Sequence, residues 1–481
     1  MRKILFLYQN ILRKIHFSTK KHFAETEFYL LLQRIFNQLY TMIFKRKLYD
    51  EMLRWKRERQ GQSALLIKGA RRVGKSTLVE DFAKREYQSY ILIDFSQENK
   101  AINALFDDMS NLDYFFLRLQ QETNKTLHER NSVIIFDEVQ LLPLARQAIK
   151  HLVKDGRYDY IETGSLLTLK RNVQNILIPS EETRLTLYPL DFEEFLWANN
   201  KGIGMDLLRQ FYEKKIPLGQ AHRNQMRDLR LYMLVGGMPQ SVDTYLKTNN
   251  MQKVDAIKRD IIQLYEDDFR KIDATGKASR LFFNIPGQLS KNASRYQIGS
   301  AIEKKTDSVD NIVADMEDSM VITMAYHADD PNVGFGLNKD YGRYKMFLSD
   351  TGLFVTLAFW DKAYTENLIY NKLLSDKLST NLGYVYENLV AQMLCAAGNT
   401  LYYYTFPDEN KHNYEIDFLL SRGNKIVPIE VKSSGYLRHK SLDEFCKRFS
   451  SRLGDRIMLT TKDYQKDGTV TCLPVYFTSL L

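Results

Sequence analysis

Cysteine is scarce in this chain, and long apolar runs are missing from it. Only three cysteines occur among the 481 residues, Cys395, Cys446 and Cys472, and their spacing contains no metal-binding pair. This usage argues against a disulfide framework and is typical of a reducing cytosol. No apolar run approaches the roughly 18 residues of a membrane-spanning helix. We therefore expect a cytoplasmic protein with no membrane partner.

Internal repeats and low-complexity linkers are also missing, and the remaining composition is that of a globular protein. With 44% hydrophobic residues, a chain of this length can bury several cores, and length alone predicts about three domains. The net charge of +9 hints at nucleic acid, but residues 1–41 hold seven lysines and arginines against two glutamates. Because this short segment carries more than half of the surplus, a nucleic-acid site elsewhere would be a local patch.

Residues 1–41 are interpreted as a basic N-terminal extension. The segment "MRKILFLYQNILRKIHFSTKK" is amphipathic, but it lacks the cleavage site and clean apolar core of a signal peptide. A helical extension, or a start codon upstream of Met42, explains it most simply. A helix that lies on a membrane surface is the alternative.

From residue 42 onward, short apolar runs alternate with helix-period patterns. The runs interpreted as strands occupy residues 64–68, 90–95, 132–138, 158–165 and 184–190. Apolar strands that are separated by helices form parallel sheets covered on both faces. Residues 42–199 are therefore predicted to form an α/β domain around a parallel sheet.

The stretch "LLIKGARRVGKST" joins the first of these strands to a helical pattern. Its glycines, lysine and serine fit G-x-x-x-x-G-K-[ST], the phosphate-binding loop of P-loop proteins. Backbone N–H groups that turn inward can surround a phosphate, and the helix N-terminus adds its positive dipole end. We expect Lys75 to reach the β- and γ-phosphates of ATP, and Ser76 to bind Mg²⁺. The predicted ATP-binding residues are Gly69, Ala70, Arg71, Arg72, Val73, Gly74, Lys75, Ser76 and Thr77; a solvated glycine-rich turn is the alternative.

A pair of carboxylates follows a second buried strand, "SVIIFDE". Asp137 can hold the magnesium ion, and Glu138 can polarise the water that attacks the γ-phosphate. Two acidic residues at a strand end are also common without a function, so the pair gains weight from the phosphate loop upstream.

The order of "GARRVGKST", "IIFDEVQLLP", "YIETGSLLTLKR", "RLTLYPLDFEEFL" and "LVGGMPQSV" resembles the AAA-type ATP-binding proteins of bacteria and archaea. The resemblance covers residues 42–481, and it implies an AAA+/STAND-like P-loop fold with a C-terminal nuclease-like domain. It also implies that Ser165 is a sensor on the γ-phosphate side and that Arg184 is an arginine finger. One residue departs from the family pattern, because Glu162 stands on a strand where the family usually has an apolar or small residue. For Arg184, the alternative to a finger is a surface ion pair with Glu181 or Glu182.

Two further regions follow the predicted nucleotide domain. Residues 200–275 carry helical patterns interrupted at Gly236–Gly237, and they resemble the helical lid of the family, with a plain connector as the alternative. Residues 276–375 show three helical patterns and a β-wing, which indicates a winged-helix-like middle domain. Its third helical pattern is acidic and poor in donors for DNA, so a protein-interaction or structural role is favoured.

The last predicted domain, residues 376–481, contains carboxylates at a spacing that suits a metal site. Glu387 lies on a predicted helix, Asp417 on the first strand of a hairpin, and Glu430 and Lys432 on the second strand. If the strands pair in register, period-2 alternation brings the hairpin side chains to one face. These residues resemble the α-β-β core of PD-(D/E)xK nucleases, which implies Mg²⁺ held by all three carboxylates and catalysis by the hairpin residues. One alternative is that these charged side chains are simply solvated on an exposed strand face. Another is a nuclease fold that persists as a catalytically inert module.

Together these motifs predict an ATPase whose nucleotide state controls its C-terminal modules. One hypothesis is a nucleic-acid enzyme that places a nuclease-like domain on DNA or RNA. The other is a nucleotide-controlled switch that binds protein partners through an inert module. A homo-oligomer is compatible with both, and stimulation of ATP hydrolysis by DNA would separate them.

Overall fold

The computed structural model describes residues 42–164, 180–201, 203–291, 293–302, 307–361, 370, 374, 383–407, 413–434 and 439–481. The chain divides into two compact units, Met1–Ile43 and Phe44–Leu481. The predicted extension 1–41 lies outside the described residues, and the described end of the first unit, Met42 and Ile43, is exposed. In the part of the chain that is described, no helix is both long and apolar enough to cross a membrane.

A five-stranded sheet forms the first half of the larger unit. Its strands are β1 (Ala64–Lys68), β2 (Ser89–Asp94), β3 (Ser132–Asp137), β4 (Asp159–Gly164) and β5 (Glu182–Thr186). They pair in parallel in the order β2-β3-β4-β1-β5, which confirms the predicted parallel sheet. β5 starts and ends earlier than the 184–190 expected, and Pro189, which has no N–H to donate, follows it.

Helices cover both faces of this sheet. They are α1 (Leu48–Arg59), α2 (Lys75–Glu86), α3 (Lys100–Asn103), α4 (Leu112–Thr123), α5 (Pro143–Asp155) and α6 (Phe192–Ala198). The alternation of side chains along β1 divides the core, because Leu65 and Ile67 belong to one hydrophobic cluster and Leu66 to another. This double burial explains why the strand is apolar at every position but its last.

The region predicted to be helical between residues 200 and 275 is helical where it is described. Its helices are α7 (Ile203–Lys214), α8 (Gln220–Val235), α9 (Pro239–Thr248) and α10 (Met251–Ile272). α8 ends immediately before Gly236, which has a left-handed φ of 81°, and Pro239 is the first residue of α9. The glycines therefore end one helix, and the proline starts the next, where its missing N–H costs nothing.

Short helices fill the region expected to be winged-helix-like. They are α11 (Lys277–Phe283), α12 (Ile285–Ser290), α13 (Asp307–Asp318) and α14 (Thr351–Ala358). Within the described residues, the second of the three expected helical patterns is represented by a 3₁₀ turn at Ile298–Ser300. The winged helix therefore stays a prediction.

An eight-stranded mixed sheet forms the second half of the unit. Its strands are β6 (Ile322–Ala328), β7 (Lys339–Leu348), β8 (Leu401–Pro407), β9 (Asn413–Arg422), β10 (Lys425–Lys432), β11 (Ile457–Thr460), β12 (Gln465–Asp467) and β13 (Val470–Pro474), in the order β12-β13-β11-β10-β9-β8-β6-β7. The strand expected as a β-wing, β7, pairs with β6, and β6 pairs in parallel with β8. The sheet therefore crosses the domain boundary predicted after residue 375.

Helices α15 (Gly383–Ala396) and α16 (Lys440–Arg448) complete this second half. One hydrophobic cluster runs without interruption from β1 through α8 and α10 to α14, α15 and β9; its members include Ile67, Tyr232, Ile261, Phe354, Leu389 and Phe418. The larger unit therefore has a continuous core that joins the parallel sheet to the mixed one.

Candidate functional site

The predicted phosphate loop lies between β1 and α2. An added Cβ at Gly69 would lie 2.3 Å from the carbonyl oxygen of Leu187, and Gly74 has a left-handed φ of 94°. Both positions therefore require glycine, the first for a close backbone approach and the second for its conformation. The loop conformation is a consequence of these two residues at this spacing.

The carbonyl groups of the loop are bonded to side chains. Lys75 is buried, and its Nζ donates to the carbonyl oxygens of Gly69 and Ala70, both at 3.1 Å. Arg46 Nη1 donates to the carbonyl of Val73 at 3.1 Å, and the Tyr265 hydroxyl donates to that of Arg71 at 2.8 Å. Because buried backbone groups need partners, these donors favour a loop whose carbonyls are satisfied while its N–H groups stay available for an anion.

Arg46 connects the loop to the chain segments around it. Its Nη2 donates to the carbonyl of Tyr188 at 2.5 Å, and its Nε donates to Glu194 Oε2 at 3.1 Å. The guanidinium is buried, and no motif in the sequence marked it as part of the site. Its position just before an amphipathic helix was the available sequence signal, because an arginine that is buried there needs hydrogen-bond acceptors.

The acidic pair at the end of β3 lies beside this loop. Asp137 Oδ1 accepts a hydrogen bond from the Ser76 hydroxyl at 2.9 Å and a second one from the Thr163 hydroxyl. The backbone N–H of Glu138 donates to the Thr163 hydroxyl at 3.2 Å. Oxygen ligands are what Mg²⁺ requires, so the Ser76 hydroxyl and the Asp137 carboxylate fit this ion.

Thr163 is a site residue that the sequence motifs missed. It is the last residue but one of β4 and lies two positions before the predicted sensor Ser165, which is outside the described residues. Its hydroxyl bonds both members of the acidic pair, the Asp137 carboxylate and the Glu138 backbone N–H. The polar residue at the end of an otherwise buried strand was the available signal.

Glu138 has a left-handed backbone with φ of 53°, which is uncommon for a residue with a side chain. Its carboxylate accepts a hydrogen bond from Gln140 Nε2 at 2.5 Å. Strained residues of this kind concentrate at functional sites because the surrounding structure holds them in place. The left-handed turn at Glu138 directly follows Asp137, the last residue of β3.

Burial and the neighbouring carboxylates act on the pKa of Lys75 in opposite directions. Burial lowers the pKa of Lys75, whereas Glu138 and Asp137 act to raise it. The two predicted carboxylates are thus close enough to interact with the predicted phosphate-binding lysine.

The predicted loop contains both buried and exposed side chains, and Ala70 and Val73 are buried. Arg71, Arg72 and Thr77 are exposed, and Arg71 Nη1 pairs with Asp268 of α10 at 3.1 Å. Of the predicted ATP-binding residues, Arg71 therefore reaches α10 with both its side chain and its carbonyl group.

Arg184 lies in a row of charges on the parallel sheet. Its Nε donates to Glu182 Oε1 at 2.6 Å, and the buried Arg146 pairs with both Glu162 at 2.6 Å and Glu182 at 2.8 Å. Burial raises the pKa of Glu162, and Arg146 opposes this rise. Glu162, which departs from the family pattern, thus has a buried arginine as partner, and Arg184 makes the ion pair considered as its structural alternative.

The predicted carboxylates of the last domain also come together. β9 and β10 are antiparallel, with Phe418 opposite Ile429, a register that places Asp417 next to Glu430. Asp417 Oδ2 accepts the backbone N–H of Val431 at 2.7 Å, and Lys432 Nζ pairs with Glu430 Oε1 at 2.7 Å. We call Glu387, Glu415, Asp417, Glu430, Lys345 and Lys432 the acidic centre.

Two members of the acidic centre, Lys345 and Glu415, were not predicted. Lys345 Nζ donates to Glu387 Oε1 at 2.9 Å and to Glu415 Oε1 at 2.5 Å, and oxygens of Glu387, Glu415 and Asp417 lie within 4.8 Å of one another. Glu415 precedes Asp417 by two residues on the same strand, so strand alternation could have placed both carboxylates on one face. Lys345 reaches the centre from β7, which only the sheet order reveals.

Burial and neighbouring charges shift the pKa values of Asp417, Glu415 and Lys345. Burial, followed by Glu387, raises the pKa of Asp417 well above its ordinary range. Burial likewise raises the pKa of Glu415, whereas Lys345 lowers it. Although burial opposes its charge, Glu387 and Glu415 raise the pKa of Lys345. Carboxylates crowded in this way favour a cation among them.

Comparison with protein families assigns one segment of the chain, residues 61–196. Residues 61–196 match the family model of the AAA domain, and they include the phosphate loop, the acidic pair, Thr163 and Arg184. This region is an AAA-type P-loop ATPase domain. Residues 226–364 and 382–477 match models described as domains of unknown function, DUF8612 and DUF4143. None of the curated proteins compared with the chain matches it.

Among solved structures, the similarities are weak. The Aeropyrum pernix ORC1 protein, solved in complex with DNA, is 12% identical over 70% of this chain and 94% of its own, with a TM-score of 0.27. PCH-2 of C. elegans is 14% identical, and the match covers 44% of this chain and 65% of PCH-2, with a TM-score of 0.26. A STAND ATPase with a tetratricopeptide repeat sensor from Pyrococcus horikoshii is 13% identical. The match covers 73% of this chain and 48% of that protein, with a TM-score of 0.25. The domain assignment therefore rests on the family match and the loop geometry.

Replacement of Lys75 tests the nucleotide site. Lys75→Ala removes the ammonium group that would contact the phosphates, so ATP binding should weaken by about ten- to a hundredfold in a calorimetric titration. Lys84→Ala, at the exposed end of the same helix, is the matched control and should bind ATP like the wild type. An affinity of Lys75→Ala within about twofold of the wild type would show that the loop does not bind ATP.

Replacement of Glu138 separates binding from hydrolysis. Glu138→Gln keeps the shape but loses the proton acceptor, so ATP should bind normally while turnover falls by about a hundredfold or more. The measurement is phosphate release beside an ATP titration.

Arg184→Ala provides the comparison in the same assay. It should slow turnover at unchanged affinity if the arginine is a finger. Wild-type turnover in Arg184→Ala would leave Arg184 as the partner of Glu182, and wild-type turnover in Glu138→Gln would move the catalytic role to another residue.

Proposed function

We propose that the chain is an ATP-hydrolysing protein that couples the nucleotide state of its AAA domain to its C-terminal half. The observation that carries this proposal is helix α10, whose two ends bond the phosphate loop and the C-terminal half. The three cysteines are all free thiols, which fits the expected cytoplasmic location.

The proposed hydrolytic roles are supported by the positions of the side chains. Lys75 would neutralise the β- and γ-phosphates, Ser76 and Asp137 would hold Mg²⁺, and the Glu138 carboxylate would orient the attacking water. When bound, Mg²⁺ supplies charge neutralisation for the phosphates. Thr163 keeps the Asp137 carboxylate and the Glu138 backbone in fixed positions.

The C-terminal part of α10 contacts the phosphate loop. Tyr265 donates to the carbonyl of Arg71, and Asp268 pairs with the Arg71 side chain. Both contacts are to a loop residue whose backbone position would respond to a phosphate among the loop N–H groups. α10 is therefore in direct contact with the part of the AAA domain that binds the nucleotide.

The first half of α10 contacts the C-terminal half of the unit. The buried Lys258 Nζ donates to the carbonyls of Leu234 at 2.7 Å and Gly352 at 3.3 Å. Asp255 Oδ1 accepts a hydrogen bond from the Thr356 hydroxyl of α14 at 3.0 Å. Because these groups are buried, a shift of α10 that breaks their bonds has a high free-energy cost, and α14 follows the helix.

α14 is in turn connected to the helix that carries Glu387. The N–H of Thr351 donates to Gln392 Oε1 at 2.7 Å, and the N–H of Leu348 donates to Asn388 Oδ1 at 2.8 Å. A chain of hydrogen bonds thus runs from the phosphate loop through α10 and α14 to α15, part-buried or exposed at the loop and buried at α14 and α15. A contiguous path of this kind is a physical route for coupling, which then has to be measured.

For the C-terminal half, we propose a nuclease-like module that acts on DNA or RNA. Asp417 and Glu430 would hold Mg²⁺, and Glu430 Oε2 is a buried oxygen without a hydrogen-bond partner among the described residues, which fits a cation there. When bound, the ion would activate water against a phosphodiester. Lys432 would stabilise the developing negative charge.

The alternative is a nucleotide-controlled switch whose module does not cleave and binds a protein partner. One observation favours it: Lys345 and Lys432 already bond Glu387, Glu415 and Glu430. Internal lysines that satisfy the carboxylates reduce the need for a metal ion. Under this reading, ATP hydrolysis is insensitive to DNA and RNA.

We also propose that several copies assemble. Arg184 lies on β5, an edge strand of the parallel sheet, and its side chain is 53% exposed. An arginine finger can be supplied in trans, and an exposed edge position suits this role.

Loss of one hydroxyl group tests the coupling. Tyr265→Phe removes the bond to the Arg71 carbonyl and keeps the ring, so ATP should bind within about threefold of wild type. In a Glu138→Gln background, ATP should slow amide hydrogen exchange in α14 and α15, and Tyr265→Phe should remove most of this protection. Tyr245→Phe, on the neighbouring helix α9, is the matched control. Equal protection in both variants would show that this bond does not transmit the nucleotide state.

Replacement of Asp417 tests the nuclease-like module. Asp417→Asn should abolish Mg²⁺- or Mn²⁺-dependent cleavage of single- or double-stranded DNA or RNA and leave basal ATP hydrolysis intact, because the two sites lie on different sheets. Glu444→Gln on α16 removes a carboxylate outside the acidic centre and should cleave like the wild type.

Two outcomes would contradict this assignment. Cleavage that survives Asp417→Asn would show that other residues act. Absence of cleavage on every polymer, with ATP turnover insensitive to DNA and RNA, would favour the switch.

A further inference from the structure

The lysine at the acidic centre lies in an unusual place. Lys345 is only 3% exposed, and it lies on β7, three strands away from Asp417 in the sheet order β9-β8-β6-β7. Its cross-strand neighbour on β6 is Ala325. Because cross-strand neighbours share a face, the small methyl group leaves room for the long side chain to cross toward β9.

The ammonium group occupies the point where the carboxylates converge. Oxygens of Glu387, Glu415 and Asp417 lie within 4.8 Å of one another, and the ammonium bonds the first two. Oxygens that lie this close together can share one positively charged partner, and in this structure Lys345 is the partner of Glu387 and Glu415.

Charge balance points in the same direction. The acidic centre contains four carboxylates and two ammonium groups, so in the fully ionised state it lacks two positive charges. One divalent cation supplies these charges, whereas two cations would reverse the sign of the centre. The buried Glu430 Oε2 has no hydrogen-bond partner in the described part of the chain, whereas Glu430 Oε1 pairs with Lys432.

We propose that Lys345 is a built-in cation that takes the place of a divalent ion between Glu387 and Glu415, so that this centre accepts at most one metal ion, beside Asp417 and Glu430. Lys345 is thus a positioning residue that holds α15 against β9 without metal. The single remaining metal position rests on the proposed function, but the role of Lys345 does not.

Removal of the lysine should create a metal site. Lys345→Met keeps the length and apolar stem but leaves Glu387 and Glu415 without their cation. We expect this variant to bind one Mn²⁺ per chain more than the wild type, with at least about a hundredfold higher affinity at that position. Mn²⁺ is counted by calorimetry and by loss of the free-ion signal in electron paramagnetic resonance, without nucleotide.

Three controls make the count specific. Lys339→Met removes a lysine from the same strand that lies over the ring of Tyr326, so it matches the change in charge and should gain no site. Lys345→Met combined with Glu415→Gln should lose the gained ion. If Lys345→Met unfolds without metal, Mn²⁺ should restore its folding and raise its melting temperature more than that of the wild type or Lys339→Met.

The outcomes separate this inference from the proposed function. An equal Mn²⁺ count in folded Lys345→Met and wild type, or no rescue by Mn²⁺ of an unfolded variant, would overturn the role of Lys345. The nuclease-like module is tested by a different ion, the one that the wild type should bind and that Asp417→Asn should lose. A wild type that binds no ion, together with a gain in Lys345→Met, would support the role of Lys345 and reject the metal position beside Asp417. Two ions at the wild-type centre would overturn the inference.

Discussion

The phosphate loop can present its N–H groups to an anion only if its carbonyl groups find partners elsewhere, and this constraint organises the molecule. Lys75, Arg46 and Tyr265 supply those partners from the loop itself, from the segment before α1 and from α10. Buried polar groups are expensive to leave unpaired, so Arg46 and Tyr265 each tie a distant part of the chain to the loop. The nucleotide site therefore depends on segments far from it in sequence.

The continuous core explains how this local constraint reaches the rest of the larger unit. α10 packs within a hydrophobic cluster that extends from β1 to β9, and its buried polar residues bond α14. Packed interiors resist continuous deformation and tend to move as rigid elements. A helix that bonds the phosphate loop near one end and α14 through buried groups near the other is thus a suitable element to carry a nucleotide-dependent shift.

The acidic centre illustrates how neighbouring charges decide the chemistry that a motif can perform. A pattern of carboxylates and a lysine suggests a metal-dependent nuclease, but the same carboxylates with a second buried lysine are already partly neutralised. Whether a metal binds depends on the balance between these internal cations and the unpaired Glu430 oxygen. This charge balance cannot be predicted from the residue types alone.

The sequence by itself determined the parallel sheet, the phosphate loop and the placement of Asp137 and Glu138, because these features arise from local periodicity and from residues close together along the chain. It also anticipated the pairing of β9 with β10, which a short turn connects. Only the tertiary structure decided that β7 joins the C-terminal sheet, that Lys345 enters the acidic centre, and that Arg46 and Tyr265 hold the loop. These contacts join residues separated by tens to hundreds of positions, and the free energy that selects them comes from burial and strand pairing in the complete fold, which no short stretch of sequence contains.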